Sequence, residues 1–183
     1  MHFLLKALLR GDRRSVAACE QAVEAVQMQP ALLGVLFDGL HGTDPLLRMR
    51  CADAIEKSTT WHHDWLLPFK PMLLALLTHE PQKEVRWHVA QMLPRLPLSP
   101  DEEQSAWEHL LGYTNDPSSI VKTQAMQALA ELALRNAQRL PQARLHIAEL
   151  TATGTPAMQA RGRHLLALLD GALNSKSPPV VHR

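Results

Sequence analysis

The chain has 183 residues, 46% of them apolar but only 4% aromatic, a Leu- and Ala-rich mix that packs helices closely and argues against a β-rich fold. Its net charge of +1 excludes a global field that would drive it onto nucleic acid or anionic lipid. Two cysteines make no secreted disulfide framework, and no stretch reaches 18 apolar residues, so neither export nor a membrane span is expected and a reducing cytoplasm is the expected location.

Residues 2–10 and 13–28 read as a first helix pair, in which Ser15, Cys19, Ala22 and Val23 fall on one helical face. Helices over 31–40 and 45–58 follow, the second opened by Asp44-Pro45, where an oxygen-bearing side chain precedes a proline suited to the first helical position. The segment 59–68 breaks the pattern and predicts an extra half-turn or short helix. Next come 69–79 with 81–93, opened by Glu80-Pro81, and 100–113 with 117–136, opened by Asp116-Pro117. Ser99-Pro100-Asp101-Glu102 carries a capping box ahead of the helix at 100. The last pair is 140–151 with 155–172, opened by Thr155-Pro156, and 173–183 reads as a disordered tail.

The second helices share a template, apolar or small at offsets 0, 4, 7 and 8. Its occurrences are Leu47/Cys51/Ala54/Ile55, Val85/Val89/Met92/Leu93, Val121/Ala125/Ala128/Leu129 and Met158/Gly162/Leu165/Leu166, with starts 38, 36 and 37 residues apart. Those offsets select one helix face, and a near-constant interval is the signature of stacked helix pairs. The expected fold is an all-α, right-handed solenoid of about five antiparallel pairs in one domain over 1–172. Residues 1–29 form its cap or degenerate repeat, and the repeats run 30–58, 61–96, 99–136 and 139–172.

The second helices resemble HEAT repeats over roughly residues 30–172. Asp44, Leu47-Arg48, Cys51 and Ala54-Ile55 match that family's pattern of an acid, a Val-Arg step, then small and apolar residues. Val85-Arg86 with Val89 and Met92-Leu93 matches it with larger residues, and Asp116, Val121-Lys122, Ala125 and Ala128-Leu129 matches it with Lys for Arg. The fourth unit keeps the apolar grid without acid or base. The resemblance implies that Asp44, Arg48, Arg86, Asp116 and Lys122 bridge neighbouring repeats, and that second helices line a concave groove.

Basic residues outnumber acidic ones on the second helices and the reverse holds on the first, so the groove is expected to take a protein or peptide segment, possibly an acidic one, without catalysis and without a cofactor. Arg50, Arg86, Lys122, Arg161 and Arg163 are the candidate contacts, with Arg50, Arg161 and Arg163 favoured because they lie off the apolar grid. Trp61, Asp64, Trp65 and Trp87 are a candidate aromatic and acidic pocket: Trp61 and Trp65 share a face if helical, and indoles beside a carboxylate suit a cation or a stacked base. In residue type this set is similar to the groove of HEAT-like alkylpurine DNA glycosylases, which gives an alternative of nucleic-acid binding or base excision. A second alternative, a lyase- or chaperone-like role on a cofactor-bearing protein, follows from the likeness to cyanobacterial HEAT-like proteins. The ten histidines include no pair at helical spacing of four, so no metal site is expected, and only His79-Glu80 matches the His-Glu dipeptides of deoxyhypusine hydroxylases.

Overall fold

The computed structural model describes residues 2–9 and 17–176, and the regular structure among them is entirely helical. The chain divides into two compact units, Met1–Pro97 and Leu98–Arg183. In the first lie α1 (Phe3–Leu8), α2 (Ala17–Met28), α3 (Leu32–Leu40), α4 (Pro45–Ser58), α5 (Lys70–His79) and α6 (Lys83–Met92). In the second lie α7 (Pro100–Tyr113), α8 (Ser119–Arg135), α9 (Leu140–Thr153) and α10 (Pro156–Lys176). Short 3-10 helices at His63–Phe69, Leu93–Arg95 and Ala137–Arg139 complete the element order. The break at Pro97 falls between two sequence repeats.

Helix starts follow the local chemistry with two corrections. Asp44 Oδ1 accepts from the backbone N–H groups of Leu46 and Leu47 at 2.8 and 3.0 Å, and Ser99 with Glu102 forms the full capping box. Glu80 and Asp116 do not cap their helices directly. Each accepts from the backbone N–H two residues on, Gln82 and Ser118, which folds the proline into a turn and delays α6 to Lys83 and α8 to Ser119. At the far end α10 runs through Lys176, so Asn174, Ser175 and Lys176 are helical and not part of a tail. Residues 177–183, like Ser15, lie outside the described residues.

The template positions form the core. Leu47, Cys51, Ala54, Ile55, Val85, Val89, Met92, Leu93, Val121, Ala125, Ala128 and Leu129 are all buried, as are Met158, Gly162 and Leu165. Leu166 is only half-buried; Leu169 is the buried residue there. Each second helix packs on its own first helix, α3 on α4, α5 on α6, α7 on α8 and α9 on α10. It also packs on the second helix of the neighbouring pair, α2 on α4 and α4 on α6 in one unit, α8 on α10 in the other. Stacking of Phe37 on Phe69, with centroids 3.9 Å apart, and burial of Leu66 fill the space around the 59–68 interruption.

Gly162 marks a close approach of α10 to α9. A Cβ there would stand 2.9 Å from the Thr151 Cβ and crowd the Thr151 hydroxyl, which donates to the Ile147 carbonyl at 2.6 Å. Gly162→Ala gains about 1 kcal/mol of helix propensity but meets an overpacking cost of about 1–3 kcal/mol. A lower thermal midpoint is expected for Gly162→Ala, restored by adding Thr151→Ala. Equal stability of Gly162→Ala and the parent in thermal unfolding contradicts the close approach.

Candidate functional site

One polar cluster of the first unit is built on α4. Asp53 and Lys57 are one turn apart and pair at 2.8 Å, and His88 Nε2 on α6 stands 4.0 Å from the other Asp53 oxygen. Cys19, on α2, lies beside Asp53 with its sulfur 3.9 Å from the Arg50 carbonyl. Burial, with the Asp53 carboxylate adding to it, pushes the Cys19 thiol up to about 11, and burial pushes Cys51 up to about 12. Both are protonated thiols near neutral pH, the wrong state for a nucleophile. Burial tends to lower Lys57, but the hydrogen bond and charge of Asp53 outweigh it and hold its pKa up. His88 is lowered by burial, against the opposing pull of Asp53, Glu56 and Gln91. The sequence signal for this cluster was the Asp53–Lys57 spacing; His88 and Cys19 gave none, since they come from other helices.

Arg50 is a correction. Expected as a groove contact, it is 1% exposed and its guanidinium donates to the Leu8 carbonyl at the end of α1. It lies off the grid that faces α2, α3 and α6, but α1 also packs on α4 and covers that side. Its neighbours in the pattern are used in similar ways. Arg48 donates to the Leu40 carbonyl at 2.8 Å, to Glu80 at 2.5 Å and to Gln82 at 3.3 Å, tying α4 to the turn before α6. Arg86 donates to the carbonyls of Glu80 and Pro81 at 3.1 and 2.6 Å, and Arg95 pairs with Glu56. These donors serve the fold, which leaves the first unit far less basic outward than its sequence suggests.

Lys122 is half-buried on α8. Arg161 and Arg163, both on α10, are exposed and make no ion pair among the described residues; Arg161 donates to the neutral Gln127 amide oxygen at 2.8 Å. They point to different sides of α10, being two positions apart.

The aromatic and acidic set is not brought together. The 3-10 helix begins at His63, so Trp61 precedes it and stands 88% exposed, while Trp65 stacks on His62 with centroids 4.1 Å apart. Asp64 is exposed, and Trp87 lies tilted against His88 at 5.6 Å. Among the described residues Trp61 makes no ring contact with Trp65 or Trp87. Likewise no three His, Cys, Asp or Glu side chains there form a metal-holding group, and no helix is long and apolar enough to cross a membrane.

Two outcomes follow. Arg50→Ala leaves the Leu8 carbonyl without its donor in a buried place, and a loss of about 3 kcal/mol, several degrees in the thermal midpoint, is expected; an unchanged midpoint contradicts the assignment. Because the His88 pKa is lowered in the folded chain, the unfolded chain binds the extra proton first. Stability is therefore fullest above the ordinary imidazole range and falls as pH drops through about 6.5. Chemical denaturation at about pH 7.5 and about pH 5.5 is expected to show a smaller acid-side loss in His88→Asn than in the parent.

No family model matches the chain, and no curated protein matches it. Among solved structures it is similar to the crystal structure of an engineered protein determined as a Northeast Structural Genomics Consortium target. The TM-score is 0.62 at 17% identity, over 92% of this chain and 78% of that one. That likeness concerns the all-helical fold.

Proposed function

We propose that each unit is a short stack of HEAT-like antiparallel helix pairs and that the chain is a protein-binding module that carries out no reaction. The burial of the repeated grid and the bridge from Arg48 to Glu80 and Gln82 support the stacked-pair reading, because the matching arginine is spent between neighbouring pairs. The observation that carries the binding reading is Trp61. In a chain with four tryptophans, Trp107 is buried and Trp65 and Trp87 are half-buried, whereas Trp61 is 88% exposed with Leu67 nearby in sequence at 47%. An indole left in water gains from being covered, and tryptophan is the residue type most enriched among interface anchors.

In the second unit Arg161 and Arg163, on different sides of α10, each offer uncompensated charge, and α10 is where the expected acidic partner remains workable. Nucleic acid is the less favoured occupant, because Arg48, Arg50, Arg86 and Arg95 give their donors to internal acceptors and leave little phosphate-binding charge on the first unit.

The test is capture by the immobilised full chain from a lysate of its source, with identification by mass spectrometry and calorimetry on the identified partner. Trp61→Ala is expected to weaken that partner about 30-fold with an unchanged thermal midpoint, as loss of an anchor worth about 2 kcal/mol does. Arg161→Glu with Arg163→Glu is expected to weaken an acidic partner further. Equal affinity of the parent and Trp61→Ala, or salt-dependent binding to duplex DNA in place of any protein, contradicts the reading.

A further inference from the structure

Two contacts set how α2 lies on α4. The Cys19 sulfur stands 3.9 Å from the Arg50 carbonyl, and two turns further on Gln27 Nε2 donates to the Ser58 carbonyl at 3.0 Å. Both contacts join residues 31 apart in sequence, so the two helices run parallel in one register with their last turns side by side. A groove of about 330 Å³ opens between them, lined by Glu20, Val23 and Glu24 of α2 and by Lys57 of α4.

The groove joins an acidic stretch to an apolar end. Glu20 and Glu24 are one turn apart on one face of α2, are exposed, and make no ion pair among the described residues. Lys57, across the groove, is already paired with Asp53 at 2.8 Å, so its charge is balanced within α4. Glu56 is likewise paired, with Arg95. The surplus is therefore negative. At the far end Met28 adjoins Gln27 and Trp61 lies three residues past Ser58. These two side chains, 89% and 88% exposed, are the most exposed large apolar ones among the described residues. A segment that covers Met28 and Trp61 and continues along the groove must pass Glu20 and Glu24. One without positive charge would strip water from both carboxylates and give nothing in return.

We infer that the α2–α4 groove binds a basic amphipathic segment of a partner protein. It lays Lys or Arg side chains beside Glu20 and Glu24, and apolar ones on Val23, Met28 and Trp61. The inference rests on the reading of Trp61 as an anchor and gives that anchor's partner a charge, opposite in sign to the one that the α10 arginines suit.

The experiment is a nuclear magnetic resonance titration of the ¹⁵N-labelled full chain with a short leucine–lysine peptide whose helix has one apolar and one basic face. The same peptide with glutamate for lysine, and with alanine for leucine, gives the comparisons. Saturable shifts are expected at the amides of 20–28 and 53–61 with the leucine–lysine peptide, weakening as salt is raised, and neither comparison peptide should match it. Glu20→Lys with Glu24→Lys is expected to weaken the leucine–lysine peptide about tenfold and to admit the leucine–glutamate one. Its thermal midpoint should be unchanged, because both positions are exposed. No saturable shift at these amides, equal binding of the leucine–glutamate peptide by the parent, or equal affinity of the charge-reversed variant overturns the basic partner. Failure of the Trp61 reading has a different signature. Trp61→Ala would then bind the leucine–lysine peptide as tightly as the parent while the charge reversal still weakened it, which removes Trp61 from the site.

Discussion

Everything in each unit is arranged around how closely the second helices can approach their neighbours. A second helix touches its own first helix and the second helix of the next pair, so it must bury two sides, and the residue at the crossing has to be small. Offset 4 of the template holds Cys51, Val89, Ala125 and Gly162, all buried, and Gly39 of α3 in turn makes room for Cys51. Burial follows the same asymmetry in the middle pairs: α8 buries Val121, Ala125, Met126, Ala128, Leu129, Ala130, Leu132 and Ala133, whereas α7 buries Ala106, Trp107 and Leu110; in α3, a first helix, Leu32, Leu33, Leu36, Phe37, Gly39 and Leu40 are buried as well.

Helices held that closely leave carbonyls at their turns and ends buried or partly buried, and the arginines donate to them. Arg48, Arg50 and Arg86 each donate to a main-chain carbonyl, Leu40, Leu8 and Glu80 respectively. A charge placed for this purpose is lost to outside ligands. Counting charges along second helices therefore overstated the basic surface of the first unit, whereas Trp61 and the α10 arginines Arg161 and Arg163 stay exposed.

The grid was legible in the sequence because apolar periodicity and burial have one cause, the helical repeat of 3.6 residues. Helix starts were legible at Asp44, Ser99 and Thr155, where the capping residue adjoins the proline, and less so at Glu80 and Asp116, whose carboxylates close a turn first. The candidate site was read less well. Arg50 lies off the grid of its own repeat but under α1, a contact 42 residues away, and Trp61 and Trp65 share a face only in a helix that begins two residues too late. His146 and Thr114 are 32 residues apart, so the 2.9 Å contact between the Thr114 hydroxyl and His146 Nε2 has no local signature.

The central claim is that α4, α6 and α8 are more completely covered than α5, α7 and α9. Native-state hydrogen exchange of the full chain tests it most directly, because amide protection follows how completely a helix is covered. The slowest amides are predicted in α4, α6 and α8, exchanging more slowly than those of α5, α7 and α9. Slower exchange in α5, α7 and α9 than in the helices they cover would contradict the account.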